Sequence, residues 1–215
     1  MIPIAHTITR IRDQIGSATL IAVSKGQTID TIRQAMDAGH RVFGENRVQE
    51  AKAKFSVLRD EYPDLELHMI GPLQTNKAKE AVELFDVIQT LDRKRLAESL
   101  AHAIKSSTHI PRLYLEINIG NERQKSGIAP QETGPFLDFC RHSCGLSISG
   151  LMCIPPRGQD PAPFFTSLRE LAACHALPHI SMGMSDDYKQ ALVCGATEIR
   201  IGTALFGKRP QSIHD

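Results

Sequence analysis

The sequence predicts an α/β protein folded as a single (β/α)8 barrel of the TIM type, with an extra N-terminal helix and a truncated last helix. Three observations predict it. Eight short apolar runs, bounded by glycine, proline or polar residues, are spaced along the chain. All but the last lead into a segment with apolar residues at helical spacing, the alternation that gives parallel strands joined by crossover helices. The 215 residues sit at the small end of the barrel range, and no G-x-G-x-x-G fingerprint supports the main alternative, an open doubly wound sheet of five or six strands.

Ile4, Ile8, Ile11 and Ile15 recur at intervals of four, three and four, one face of an amphipathic helix within residues 1–16 that Gly16 closes. The first strand lies in the stretch 19–26, TLIAVSKG, where Leu20, Ile21, Ala22 and Val23 run apolar and stop at Ser24 and Lys25. An unbroken run of this kind marks a strand buried on both faces. Thr28 is placed to cap a helix carrying Ile29, Ile32, Ala35 and Met36, with Gly39 at its left-handed end. Further strands are expected over residues 40–43, 65–70, 85–89, 112–118, 146–154, 178–182 and 198–201.

The helices between them are read from shared apolar faces. Val48, Ala51, Phe55 and Leu58 mark one, and Ala81 and Leu84 the next; Leu96, Leu100 and Ile104 follow an Asp92 cap. Pro130 begins a helix with Phe136, Leu137 and Cys140, and the stiff PPRGQDPAP loop leads to Phe164, Leu168 and Leu171. Ser185 is read as the cap of the next helix, with Asp186 and Asp187 in its first turn and Gly195 closing it. After the eighth strand the chain is cut short at FGKRP, residues 209–215 read as a flexible tail, and the opening helix is expected to cover the side where an eighth helix is nearly missing.

Twenty-five basic residues against twenty-four acidic ones give a net charge of +1, so nothing favours a nucleic-acid or membrane-surface partner. No run approaches the ~20 apolar residues of a membrane span and the head of the chain lacks a cleavable signal pattern, which predicts a cytoplasmic protein. The five cysteines, Cys140, Cys144, Cys153, Cys174 and Cys194, form no C-x-x-C pair and read as structural thiols. His40, His68 and His179 lie in or beside strands and read as packed or hydrogen-bonded rather than metal-binding.

Chemistry is expected at the carboxyl ends of the strands, where the strand-to-helix loops of a barrel converge. Lys25 stands at that end of the first strand. Ser181-Met182-Gly183-Met184-Ser185 follows the seventh strand, and Ile201-Gly202-Thr203-Ala204 the eighth. Glycine and hydroxyl residues entering a helix make either tight turns or a phosphate cup. Arg200, pointing opposite to Ile199 and Ile201, would be a buried guanidinium in need of a partner or an anion. A lysine amine facing a phosphate cup suggests a phosphorylated carbonyl compound: a sugar phosphate bound as an imine, or pyridoxal 5′-phosphate (PLP).

Taken together, AVSKG, FGENRVQE, HMIGPLQTNK, KSGI, GLMCIPP, SMGMSDD and RIGTALFG resemble, in order and spacing over nearly the whole chain, the pyridoxal phosphate homeostasis proteins, small barrels related to the N-terminal domain of bacterial alanine racemase. The resemblance implies that Lys25 is the Schiff-base lysine, that Gly202 and Thr203 with Ser181 surround the phosphate, that Arg200 faces the pyridine nitrogen and that Asn46 lies near the ring. It implies a PLP carrier, with apo-enzymes that use PLP as recipients and without catalytic turnover; a monomer is expected rather than an obligate oligomer. One departure is Gly26-Gln27, where relatives tend to carry a hydroxyl and a lysine. A racemase-type enzyme and a Schiff-base aldolase-type barrel acting on a sugar phosphate are the alternatives.

Overall fold

A computed structural model describes residues 3–207 of the chain; Lys208 and the tail over 209–215 lie outside the described residues. Within them, eight parallel strands close into a barrel in sequence order, and the eighth pairs back onto the first. The strands are β1 (Thr19–Val23), β2 (Val42–Glu45), β3 (Glu66–Met69), β4 (Val87–Leu91), β5 (Arg112–Ile117), β6 (Ile148–Cys153), β7 (His179–Ser181) and β8 (Glu198–Ile201). Around them run α1 (Ile4–Ile15), α2 (Ile29–Asp37), α3 (Val48–Glu61), α4 (Ala78–Leu84), α5 (Lys94–Lys105), α6 (Thr133–Asp138), α7 (Ala162–Cys174), α8 (Tyr188–Val193) and α9 (Thr203–Phe206). The predicted barrel is therefore the observed one, and the open sheet is excluded.

Local signals explain most of the element boundaries. Thr28 accepts the Thr31 amide at 3.2 Å and caps α2, as expected. Ile8, Ile11 and Ile15 of α1 are buried, and α1 packs against β1, α2 and the single-turn α9, on the side left open by the short last helix. Between sheet and helices the core is apolar: Phe43 of β2 meets Phe55 of α3 at 5.8 Å between ring centroids, and both are fully buried. Each such side chain contributes about 1.5–3 kcal/mol.

Several boundaries differ from expectation, each for a local reason. β2 runs two residues further, to Glu45, because Gly44 lies within the strand between Ile21 and Ile70 instead of ending it. β4 begins at Val87, since Asp86 is occupied by the Leu67 amide at 2.7 Å and by Arg59 at 2.7 Å. Asp92 does not cap α5; its carboxylate pairs with Arg93 instead. Ser185 does not cap α8 either, because the turn is closed by Asp187, which accepts the Met184 amide at 2.6 Å.

Inside the barrel, beside Ile21, Val87 and Met152, much of the filling is polar. The Arg200 guanidinium donates to the Ser181 hydroxyl at 2.7 Å, Ser181 donates to the Gln89 amide oxygen at 2.7 Å, and the Gln89 amide nitrogen donates to Glu198 at 2.9 Å. The same nitrogen lies 2.8 Å from His68 Nδ1, and His68 Nε2 lies 2.6 Å from Glu66. Tyr114 donates to the other Glu198 oxygen at 2.5 Å and stacks on His179 with centroids 5.4 Å apart. Burial works to raise the pKa of Glu198, but hydrogen bonds from His179 and Tyr114 and the charge of His68 outweigh it and hold the carboxyl below its ordinary range. A buried network is stable only when its members are satisfied, and here Arg200, Ser181, Gln89 and Tyr114 each donate to a named acceptor.

Candidate functional site

β1 and β8 place the candidate residues. Their register pairs Ile21 with Arg200 and Ala22 with Ile201, so the residues that follow, Ser24 and Lys25 on one strand and Gly202 and Thr203 on the other, emerge side by side at the carboxyl end of the barrel. A cavity of about 290 Å³ opens there, lined by Lys25, Asn46, Arg200, Gly202 and Thr203 together with Ser185, Met184 and Ile70. That is at the small end of the roughly 300–1,000 Å³ of small-molecule sites.

The segment bearing Lys25 is held from α3. Ser24 is fully buried; its hydroxyl donates to Glu45 at 2.6 Å, and its carbonyl accepts from the Lys54 ammonium at 2.9 Å. Lys54 also pairs with Glu45 at 2.5 Å and with Glu50 at 3.0 Å, and Glu50 accepts the Gly26 amide at 2.6 Å. The peptide units on both sides of Lys25 are thus fixed, leaving its side chain to face the cavity. Burial raises the pKa of Glu45, and the Lys54 charge opposes the rise.

Arg200 is 4% exposed and held by two acceptors, the Ser181 hydroxyl and, at 2.8 Å, the Cys153 carbonyl. Its own amide donates to the Gly183 carbonyl at 2.9 Å. Gly183 has φ +91°, and a Cβ there would lie 2.5 Å from Ala191 Cβ, so only glycine fits the turn that aligns the loop after β7 with β8. Burial presses the pKa of the guanidinium down from its ordinary value, which leaves a desolvated cation on the cavity wall.

Asn46 reaches the cavity from the end of β2. Its backbone packs against Gly71, where a Cβ would lie 2.4 Å from the Asn46 carbonyl oxygen, so the loops after β2 and β3 touch directly.

Five of the six residues singled out in the sequence, Lys25, Asn46, Arg200, Gly202 and Thr203, line this one cavity. Ser181 does not. It is fully buried one layer below, where its hydroxyl is engaged by Arg200 and Gln89. Ser185, read as a helix cap, is the serine at the cavity, and its hydroxyl accepts the Ala204 amide of α9 at 3.2 Å. The signal was present in SMGMS, which carries a serine at each end: only the second lies beyond the strand.

Glu116 was also missed. It sits on β5 and lines a smaller cavity of about 150 Å³ that shares Ile154 with the main one. Burial and then the charge of Asp92 push its pKa up to about 7 against the opposing charge of Arg200, and one of its oxygens is buried without a hydrogen-bond partner.

Among the described residues no group of histidine, cysteine and carboxylate side chains is placed to hold a metal, and no helix is long and apolar enough to cross a membrane. The five cysteines are unpaired; burial pushes the Cys140 thiol up to about 12.

A strand-end lysine, a buried arginine and a glycine–hydroxyl loop around one cavity define a barrel of the class built to hold a phosphorylated carbonyl compound. The chain belongs to the family described as "Alanine racemase, N-terminal domain", whose model matches residues 3–210, and within it to the pyridoxal phosphate homeostasis proteins. It is 39% identical over 201 residues to the protein of that name from Aquifex aeolicus (strain VF5), covering 89% of this chain and 87% of the other. Among solved structures it is similar to PipY of Synechococcus elongatus PCC7942. PipY without PLP gives a TM-score of 0.88 at 40% identity, and PipY with PLP bound gives 0.86 at 39%, each over 95% of this chain and 100% of that one. The family expected from the motifs is the one found.

Proposed function

We propose that the protein binds PLP covalently through Lys25 and takes part in keeping and delivering the cofactor in the cell, without turning over a substrate. The observation that carries this reading is that Lys25, Arg200, Gly202 and Thr203, at the carboxyl ends of two neighbouring strands, line one cavity. The names of the relatives, and PLP bound in PipY, support it.

The residues fit the cofactor by their chemistry. Lys25 supplies an amine for the aldehyde carbon. Thr203 and Ser185 supply hydroxyls for the phosphate, and the Ala204 amide of α9 steadies Ser185 there. Ser181, in this account, supports Arg200 from below instead of reaching the phosphate. When bound, PLP supplies an electron-withdrawing ring, and its capacity depends on a proton at the pyridine nitrogen. Arg200 would face that nitrogen, and a fixed cation there keeps the proton off. The ring is then a poor electron sink, which suits a carrier better than a transaminase-like enzyme.

The tyrosines point the same way. Tyr62 donates to Asp37, Tyr114 to Glu198 and Tyr188 to Gln14, so the three tyrosines of the chain are engaged elsewhere and none is offered as an acid or base above the cavity. The racemase-type alternative rests on Glu116, whose pKa of about 7 suits proton transfer.

Two experiments test the proposal. Titration with PLP is expected to give a visible absorption band on wild type and none on Lys25→Ala; a band of equal strength on the variant contradicts the site. Incubating the loaded protein with amino acids in deuterated water is expected to leave the α-proton in place. Exchange that is lost in Glu116→Gln would establish the racemase-type reading instead. A cytoplasmic monomer, with apo-enzymes as recipients, completes the proposal; sedimentation of the purified protein tests the first part and transfer of cofactor to an apo-enzyme the second.

A further inference from the structure

A second cavity, of about 510 Å³, opens beside the first and shares Lys25 and Asn46 with it. The closed order β8, β1, β2 sets Lys25 between the two. The first takes Ser185, Gly202 and Thr203 from beyond β7 and β8, and the second takes Arg47, Leu73 and Lys77 from beyond β2 and β3. The boundary is built rather than incidental, since the direct packing of Gly71 on the Asn46 backbone fixes the wall that both cavities share.

The lining of the second cavity is one-sided in charge. Lys25, Arg47 and Lys77 contribute to it and no carboxylate does. Lys77 is steadied by Glu80 at 2.7 Å, whereas the Arg47 guanidinium is exposed and makes no hydrogen bond or ion pair among the described residues. Val48, Met69 and Leu73 supply an apolar wall. Cations set round an apolar wall recognise an organic anion, and carboxylates match both a guanidinium fork and an ammonium.

We propose that this second cavity binds an acidic α-amino acid, whose two carboxylates meet Arg47 and Lys77 and whose amine is brought against Lys25. The proposal rests on the reading that Lys25 holds PLP, and it supplies a trigger for release. An amine is the group that can exchange into the bond at Lys25. Counted between neutral forms, the amino-acid nitrogen bonds to the cofactor's aldehyde carbon as the bond from Lys25 Nζ breaks. Two protons leave the incoming amine and two are gained by Lys25 Nζ, and nothing is oxidised or reduced. The cofactor then departs with the amino acid, and Lys25 is regenerated as a free amine.

The test uses the full chain in two forms. PLP-loaded protein is titrated with L-glutamate and L-alanine, reading the visible band and the PLP freed through an ultrafiltration membrane. Cofactor-free protein is titrated calorimetrically with glutarate, which has both carboxylates and no amine, and with inorganic phosphate. L-glutamate is expected to free PLP at a concentration at least about fivefold below that of L-alanine. Glutarate is expected to bind the cofactor-free protein yet free no PLP from the loaded one. Arg47→Lys keeps the glutamate preference and Arg47→Glu abolishes it, a ratio taken within one sample and therefore insensitive to how well each variant folds or loads. Equal potency of the two amino acids, a preference that survives Arg47→Glu, or phosphate binding as tightly as glutarate would each overturn the proposal. A missing visible band would sink the PLP reading alone. The glutarate arm still decides the cavity: binding weakened by Arg47→Glu supports it, and binding indifferent to that change overturns it.

Discussion

Lys54 and Ser24 are joined by a hydrogen bond of 2.9 Å from the ammonium to the carbonyl, on the peptide unit that leads into Lys25. Lys54 is buried, as is its partner Glu45, and Glu50 completes the cluster by taking the Gly26 amide. One helix, α3, therefore fixes the backbone on both sides of the lysine to which function is assigned. Such a cluster costs desolvation energy, so its value lies in position more than in net stability.

Lys54→Met should expose that cost. It leaves the Glu45 carboxylate buried opposite a methyl group, and the expected loss is about 3–5 kcal/mol in urea denaturation. Replacing both partners, Glu45→Leu with Lys54→Met, should recover much of the loss while PLP binding stays impaired, because the Ser24 carbonyl remains unanchored. A loss below about 1 kcal/mol in the single variant would show that water replaces the ammonium.

Ser181→Ala removes the hydroxyl that accepts from Arg200 and donates to Gln89. A buried guanidinium arm and a buried amide oxygen each lose a partner, at about 1–3 kcal/mol apiece. Ser185→Ala deletes a cavity hydroxyl without touching this network. Ser181→Ala is therefore expected to lower stability more than Ser185→Ala does, and Ser185→Ala to weaken binding of free phosphate more. Calorimetry with inorganic phosphate reads the second comparison, and a reversed order would put Ser181 at the anion.

Glu116 sets a pH dependence whose sign is opposite to that of a paired carboxylate. Its folded pKa is raised, from 4.5 to about 7, so the folded state holds this proton more tightly than the unfolded one. The contribution is favourable below pH 4.5 and is lost as pH rises through 7. Glu116→Gln should remove that fall, so the stability difference between variant and wild type is expected to grow in the variant's favour between pH 4.5 and 7. A constant difference across that window would show that Glu116 titrates normally.

The barrel was legible because its strands are short apolar runs and its helices show a different period, and Lys25, Gly202 and Arg200 were legible because strand ends are where such residues have few structural uses. The polar layer beneath the site was not read as a layer. Its members occupy alternate positions in their strands: Tyr114 and Glu116 between Leu113, Leu115 and Ile117, and Glu198 and Arg200 beside Ile199 and Ile201. That period of two separates the barrel interior from the helix-facing side, but hydrogen bonds from Tyr114 and Gln89 to Glu198 cross the barrel and join residues 84 and 109 positions apart, a distance no local pattern encodes. Ser181 and Ser185 show the limit at the finest scale, since which serine faces the cavity depends on where β7 ends.

Gly71→Ala probes the contact between the loops after β2 and β3. The new Cβ would meet the Asn46 backbone at 2.4 Å, and the expected cost is about 1–3 kcal/mol with Asn46 displaced from the cavity. Thermal unfolding reads the cost. An unchanged midpoint would mean that the loops part without strain.

The most direct test of the central claim is borohydride reduction of the protein saturated with PLP, followed by digestion and peptide mass mapping. The cavity at the junction of β1 and β8 predicts one stoichiometric label, on the peptide containing Lys25. A label spread over several lysines, or a single label on a lysine other than Lys25, would contradict it.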